Sequence, residues 1–381
     1  MSGTGQKNDS AKPKARLIAL YLPQFHPIPE NDEWWGKGFT EWTNVAKARP
    51  LFPGHYQPHI PADLGFYDLR LPEVRQAQVD LAKEHGIEGF CYWHYWFGNG
   101  KRLLERPFNE VLESGEPDFP FCLGWANESW TGIWHGAPDR MLIEQNYPGP
   151  GDEKNHFYSI LNAFKDPRYI KIEGKPIFLI YKPYLIPNAA SFIKHWQTLA
   201  IREGLKGIYF IANILKLDWN PQHSGFDSFI LHNPITRLTL ISQKGFFRAK
   251  FWLLMRGLLR ILGKPFVFPY SSFIKKAPFE IKGIDQFPCI VPNWDCTPRR
   301  GSCGYILLNS SPDLFQQHLR DSISEVSETS PEKRRKLWET SDIIFRRIPW
   351  SLVIWVITKS PPISPHIIFH RITILRNFII I

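Results

Sequence analysis

Short apolar runs alternate along the chain with amphipathic stretches. The runs at Leu17–Leu22, Gly89–Trp93, Pro120–Gly124, Pro176–Tyr181, Gly207–Ala212, Ser228–Leu231 and Phe287–Val291 are too short for helices and nearly continuous in hydrophobicity, as strands buried on both faces are. Between them the spacing changes. Pro72 to His85 places Val74, Ala77 and Leu81 on one face, and Gly86 stands where a left-handed C-terminal cap belongs. Residues 189–203 set Phe192, Ile193, Trp196 and Leu199 at helical spacing and end at Gly204 in the same way. Ser311 and Pro312 open another helix as N-cap and first-turn residue, with Leu314, Phe315, Leu319 and Ile323 as its apolar stripe. Strand and helix in alternation predict an α/β fold, and 381 residues suit one barrel as the main domain.

Three segments leave this rhythm. Residues 1–15 are polar and read as a disordered leader. Within the barrel segment, 16–330, residues 233–284 form an irregular insertion whose centre, 246–262, is an apolar helix candidate carrying Arg248, Lys250, Arg256 and Arg260. Such a helix lies either in an anionic membrane interface or against the barrel with its basic residues solvated. From about Pro331 the pattern gives way to a divergent tail, 331–381, in which Ile343 to Ile381 holds thirteen isoleucines and no acid. Ser351–Thr358 is the one stretch there suited to an eighth strand, so the eighth strand and C-terminus are expected to be atypical or missing.

Composition narrows the class. Fifteen tryptophans and thirteen tyrosines exceed what a core needs, because both have polar tips that want partners; they serve either as platforms for sugar rings or as an aromatic-rich core. The net charge of +10 comes mostly from beyond residue 235, without basic and aromatic residues interleaved along one face, so no nucleic-acid partner is expected. Five widely spaced cysteines with no C-x-x-C pair fit reduced thiols in a cytoplasmic protein better than disulfides or zinc. The leader has no apolar signal region, and no run is long enough for a confident membrane span, which leaves peripheral contact at the inner face of the cytoplasmic membrane through 246–262. Phosphate-binding glycine loops, Asp-x-Asp pairs and zinc-ligand spacings are absent from the sequence, so neither cofactor nor metal is expected.

In α/β barrels reactive groups gather at the C-terminal ends of the strands. After the first strand come Tyr21, Gln24 and His26, then Trp35, Glu41, Trp42 and Asn44. Tyr92, Trp93, His94 and Tyr95 belong to the second, and Trp125, Asn127, Glu128 and Trp130 to the third. Lys182 and Tyr184 follow the fourth, and Trp294, Asp295 and Arg299 the seventh. Saccharides call for this mixture, since ring faces stack on aromatics while hydroxyls need placed amides, acids and imidazoles. Singly, each has a plainer explanation: His94 a satisfied core histidine, Glu41 a loop acid, Trp35 a lid.

The stretches IALYLPQFHPIPENDEWWGKGFTEWTNV, HYQPHIPADLGFYD, GFCYWHYWF, WANESW and VPNWDCTPR follow one another between Ile18 and Arg299. In that order they resemble the motif series of the WbsX-like glycosyltransferases and their glycoside hydrolase family 99-like relatives, the endo-α-mannosidases. The resemblance covers roughly Leu17 to Phe315. It implies a (β/α)8 TIM-type barrel acting on glycans as hydrolase or transferase, commonly in bacterial O-antigen and lipopolysaccharide metabolism. The same resemblance predicts a catalytic pair in a Trp-Asn-Glu-Trp-x-Glu-Gly motif on the last strand, which this sequence lacks. Either the chain is a non-catalytic glycan binder or vestigial barrel, or a frameshift or truncation in the gene replaced the true eighth strand with out-of-frame residues. Glu41, Glu128 and Asp295 remain the acids best placed to position substrate or assist proton transfer, without assignment as a catalytic pair.

Overall fold

The computed structural model describes residues 15–61, 63–132, 137–242, 254–255, 257–259, 261–275, 279–328 and 354–357. All seven strands expected from the apolar runs are present. They are β1 (Arg16–Tyr21), β2 (Gly89–Trp96), β3 (Phe121–Trp125), β4 (Lys175–Ile180), β5 (Tyr209–Asn213), β6 (Ser228–Ile230) and β7 (Asp285–Phe287 and Cys289–Ile290, parted by Pro288). Each pairs in parallel with the next in chain order, giving one curled sheet without strand exchange. Helices flank it. They include α1 (Pro29–Trp35), α2 (Glu41–Lys47), α3 (Pro72–Glu84), α4 (Arg106–Ser114), α5 (Pro150–Lys165), α6 (Ala189–Arg202), α7 (Pro234–Ser242) and α8 (Pro312–Glu328).

The eighth position is filled by β8 (Ile354–Ile357), the centre of the stretch expected to pair there. It runs antiparallel to both neighbours, β1 and the second half of β7. The first half of β7 pairs with β6, so the sheet begins and ends on one extended segment, and eight staves close the ring. Pro288 has no N–H to give, and the two halves of β7 bond to opposite sides around it. Reversal has a consequence for the mouth. Ile354 lies opposite Ala19 and Ile357 opposite Arg16, so β8 enters at the end where the parallel strands finish and heads away from it.

The caps fall where the spacing put them. Gly86 and Gly204 adopt φ of 74° and 82°, Asn188 Oδ1 accepts the Ser191 N–H at 3.0 Å to start α6, and Ser311 Oγ accepts the Leu314 N–H at 3.3 Å beside α8. Apolar periodicity decides the packing. Trp196 of α6 is fully buried against Phe178 and Phe192 at 4.9 and 4.8 Å between ring centroids, and its Nε1–H donates to the Glu153 carbonyl at 3.1 Å. At the start of β2, a Cβ on Gly89 would come within 2.6 Å of the Pro120 carbonyl, so only glycine lets these strands approach.

Between 233 and 284 the described residues contain α7, a strand Phe266–Pro269 and a one-turn helix Tyr270–Phe273. The strand joins Tyr305–Leu308 and Trp294–Asp295 in a small separate sheet, and Tyr270 donates its hydroxyl to the Val291 carbonyl at 2.7 Å, fastening this segment to the end of β7. Arg248, Lys250, Arg256 and Arg260 lie outside the described residues, as does most of the tail. Among the described residues no helix is long and apolar enough to cross a membrane. Cys91, Cys122, Cys289 and Cys296 are buried free thiols and Cys303 an exposed one.

Trp196→Ala removes the hub of the aromatic layer between α6 and the sheet. Loss of a buried tryptophan costs ~3–5 kcal/mol, to be read from urea unfolding; a loss under about 1 kcal/mol would contradict the packing described.

Candidate functional site

The C-terminal ends of the parallel strands surround a cavity of about 1110 Å³. Its floor is aromatic. Trp93 of β2 meets Tyr181 at 5.4 Å and His232 at 6.0 Å, His232 meets Trp294 at 6.0 Å, and Trp294 stacks on Tyr305 at 5.8 Å with their planes 6° apart. Space for the Trp93 indole comes from Gly124 on β3, where an added Cβ would press on the ring at 3.1 Å. Higher on the wall, Tyr95 packs edgewise on Trp130 at 5.1 Å.

A buried polar chain forms one side. Arg299 donates through Nε to Glu41 Oε2 at 2.9 Å and through Nη2 to Glu41 Oε1 at 2.5 Å, and Nη2 also reaches Gln24 Oε1 at 2.7 Å. Gln24 Nε2 donates in turn to the Tyr95 hydroxyl at 3.2 Å, while Asn44 Nδ2 supports Glu41 at 3.1 Å. Glu41 opens α2, whose N-cap Thr40 accepts the Trp42 N–H at 3.2 Å; the carboxylate is thereby held at a helix N-terminus. A bidentate pair of this kind fixes both planes, joining the loop after β1 to the one after β7. Burial opposes the charge on Arg299, but Glu41 prevails and holds its pKa above the usual arginine value.

Across the mouth, Glu128 and Lys182 form a second ion pair, with the Lys182 ammonium 5.8 Å from the Tyr181 ring centroid. Asn127, fully buried, positions that lysine: its Nδ2 donates to the Lys182 carbonyl at 2.8 Å and its Oδ1 accepts the Lys182 N–H at 2.7 Å.

Of the residues expected at the site, the structure brings Gln24, Trp35, Glu41, Trp93, Tyr95, Glu128, Trp130, Lys182, Tyr184, Trp294 and Arg299 to the cavity wall. Others go elsewhere, chiefly because successive side chains of a strand face opposite sides. Tyr21, Tyr92, His94 and Trp125 point outward into the helix layer. Tyr21 donates to Gln78 Oε1 at 2.7 Å, Tyr92 packs on Phe108 at 5.2 Å, His94 Nε2 lies 2.9 Å from His156 Nε2, and Trp125 donates to the Trp96 carbonyl at 3.0 Å. Burial, aided by the charge of Arg102, drives the His94 imidazole well below its ordinary pKa, which suits a neutral pair in which one ring donates and the other accepts.

Trp42 is buried and donates to the Tyr67 carbonyl at 2.7 Å, His26 is buried outside the cavity, and Asn44 and Asn127 sit behind it as supports. Asp295 is corrected as an acid of the mouth. Its Oδ2 takes His55 at 2.8 Å and Gln57 at 2.5 Å, and its Oδ1 takes the Thr297 amide and hydroxyl at 2.8 and 2.6 Å, so the carboxylate anchors the 55–57 loop and the turn after it.

The cavity also includes Tyr181, His232, Arg300 and Tyr305, which the sequence reading passed over. His232 directly follows Leu231, so the strand-end rule would have found it had it been applied to the sixth strand. It is 7% exposed, and neither ring nitrogen has a hydrogen-bond partner among the described residues. Burial lowers its pKa to about 4, so at neutral pH it offers one donor and one acceptor to whatever fills the floor. No group of side chains suited to a metal ion occurs among the described residues.

Fold and site together define an α/β barrel with an aromatic, hydrogen-bonding mouth. The family model described as glycosyltransferase WbsX matches residues 17–338, and the chain belongs to that carbohydrate-active family. It is 34% identical over 332 residues to "Uncharacterized protein WxcX" of Xanthomonas campestris pv. campestris strain B100, covering 85% of this chain and 45% of that protein. The counterpart in strain ATCC 33913 is likewise 34% identical, over 331 residues. The chain thus spans about half the length of the curated relatives it matches. Among solved structures, the GH99 endo-α-mannosidase from Bacteroides thetaiotaomicron overlays with TM-score 0.43 and 16% identity, covering 80% of each chain. A glycoside hydrolase-like protein gives TM-score 0.43 and 12% identity over 69% of this chain and 75% of its own.

Two measurements check the electrostatics. Glu41→Gln leaves the Arg299 guanidinium buried without its counter-charge and should cost ~3–5 kcal/mol in denaturant unfolding, whereas Glu41→Gln combined with Arg299→Met should cost much less than the two single changes added; simple additivity would refute the coupling. His232 is neutral when folded but binds a proton below about pH 6.5 when unfolded, so stability must fall as pH drops from about 6.5 toward 4, by up to ~1.4 kcal/mol per pH unit for this group. His232→Phe should flatten that part of the profile; an unchanged slope would show that the imidazole is not held neutral.

Proposed function

We propose that the cavity is a saccharide site and that the chain works on glycans in bacterial surface-polysaccharide metabolism, including O-antigen or lipopolysaccharide. The observation that carries this reading is the floor of Trp93, Tyr181, Trp294 and Tyr305 around an unpartnered imidazole, beside the polar wall of Gln24, Glu41 and Arg299. Sugar C–H faces cover indole and phenol rings, while ring hydroxyls exchange hydrogen bonds with amide, imidazole and guanidinium groups. Family membership supports the same substrate class.

Whether the site turns substrate over depends on its carboxylates. Among the described residues the acids at the wall are Glu41 and Glu128, and each is engaged by a cation. Strand β8, where the resembled family places its catalytic pair, is Ile-Trp-Val-Ile, and the sequence has no acid from Ile343 onward. Those facts favour gripping a glycan without cleaving it. Glycosyl transfer or hydrolysis is the second reading, supported by the presence of two carboxylates at one cavity.

A glycan array with the purified chain, followed by oligosaccharide turnover on the best ligand, separates these readings. Binding without turnover is the expected result, with Trp93→Ala weakening affinity about tenfold, or ~1.4 kcal/mol, at unchanged fold. Turnover abolished by Glu41→Gln or Glu128→Gln would instead establish the enzyme, and no binding to any saccharide would overturn the proposal.

A further inference from the structure

Residues 254–255, 257–259 and 261 are helical, and with Leu262 just after them they carry an exposed apolar face. Leu254 is 70% exposed, Leu258 46%, Ile261 84% and Leu262 57%, at spacings of four, seven and eight residues from the first, which places them along one side of a helix. Met255 and Leu259 are half-buried on the protein side, and Leu259 reaches the cavity wall. The Leu262 N–H donates to the Leu258 carbonyl at 2.9 Å, so the stripe sits on formed helix up to its end. Four large apolar side chains together on a surface mark a place where something docks.

The charge of this part of the sequence selects the partner. From Ser228 to Phe279 the sequence has nine lysines and arginines and no aspartate or glutamate, and Lys264 and Lys275 are exposed among the described residues. Two copies meeting on this face would bring two such cationic segments together. An anionic bilayer offers the complementary pairing, apolar side chains entering the acyl boundary while the basic residues meet headgroups.

We propose that this helix docks the protein on a lipid surface bearing negative charge. Lys264 and Phe266, just beyond it, also line the cavity, so docking sets the barrel mouth beside the bilayer. The proposal holds whatever the cavity binds.

Sedimentation of the full chain with vesicles of phosphatidylcholine alone, and of phosphatidylcholine mixed with phosphatidylglycerol, tests it. Binding to the mixed vesicles is expected, at least about tenfold weaker on the neutral ones and about tenfold weaker for the Leu258→Ser, Ile261→Ser double variant. Both side chains are solvent-exposed, so the variant should keep the parent's circular dichroism and melting temperature. No binding to the mixed vesicles, or binding that the double variant leaves unchanged, overturns the proposal. A dimer in analytical ultracentrifugation that the double variant dissolves, without vesicle binding, would assign the face to a second copy instead.

Discussion

The alternation of side chains along a strand governs this molecule. In a sheet covered on one face by helices and curled around its own interior on the other, each residue of a stave belongs to one side or the other, and a shift of one position exchanges the two sets. Trp93 and Tyr95 therefore face the mouth, whereas Tyr92 and His94, their immediate neighbours, are committed to the helix layer. The parallel register carries the division from stave to stave: Tyr21 lies opposite Tyr92, and His94 opposite Trp125, and all four point outward. Cavity and core are thus two faces of the same strands.

Much of the architecture could be read from the residues because the local signals agree with the global fold. Seven apolar runs became seven parallel staves, and Gly86, Gly204 and Ser311 stand at the helix ends where their chemistry put them. The direction of the eighth stave was not legible, since four apolar residues pair equally well either way and only tertiary context chooses. At the site, taking every residue after a strand gathered inward and outward positions alike; a period of two would have removed Tyr92 and His94 and kept Trp93. Asp295 was misread for another reason. Its partners His55 and Gln57 lie about 240 positions earlier in the chain, and no local pattern announces such a contact. His232 was missed because it follows a short strand and looked unremarkable in isolation.

Charge at the mouth is organised by pairing. Glu41 with Arg299 locks the loop after β1 to the loop after β7. Glu128 with Lys182, held from beneath by Asn127, does the same between the loops after β3 and β4. These clamps frame the aromatic floor, with the neutral His232 as its polar centre. The arrangement suits recognition of a ligand with alternating apolar faces and hydroxyl edges.

Saturation-transfer difference NMR measures that claim directly, because irradiating the protein's aromatic protons reports which ligand protons lie against its rings. For an oligosaccharide retained by the chain, the account predicts transfer concentrated on the axial C–H protons of one sugar face. Transfer spread evenly over the ligand, or none at all, would contradict it.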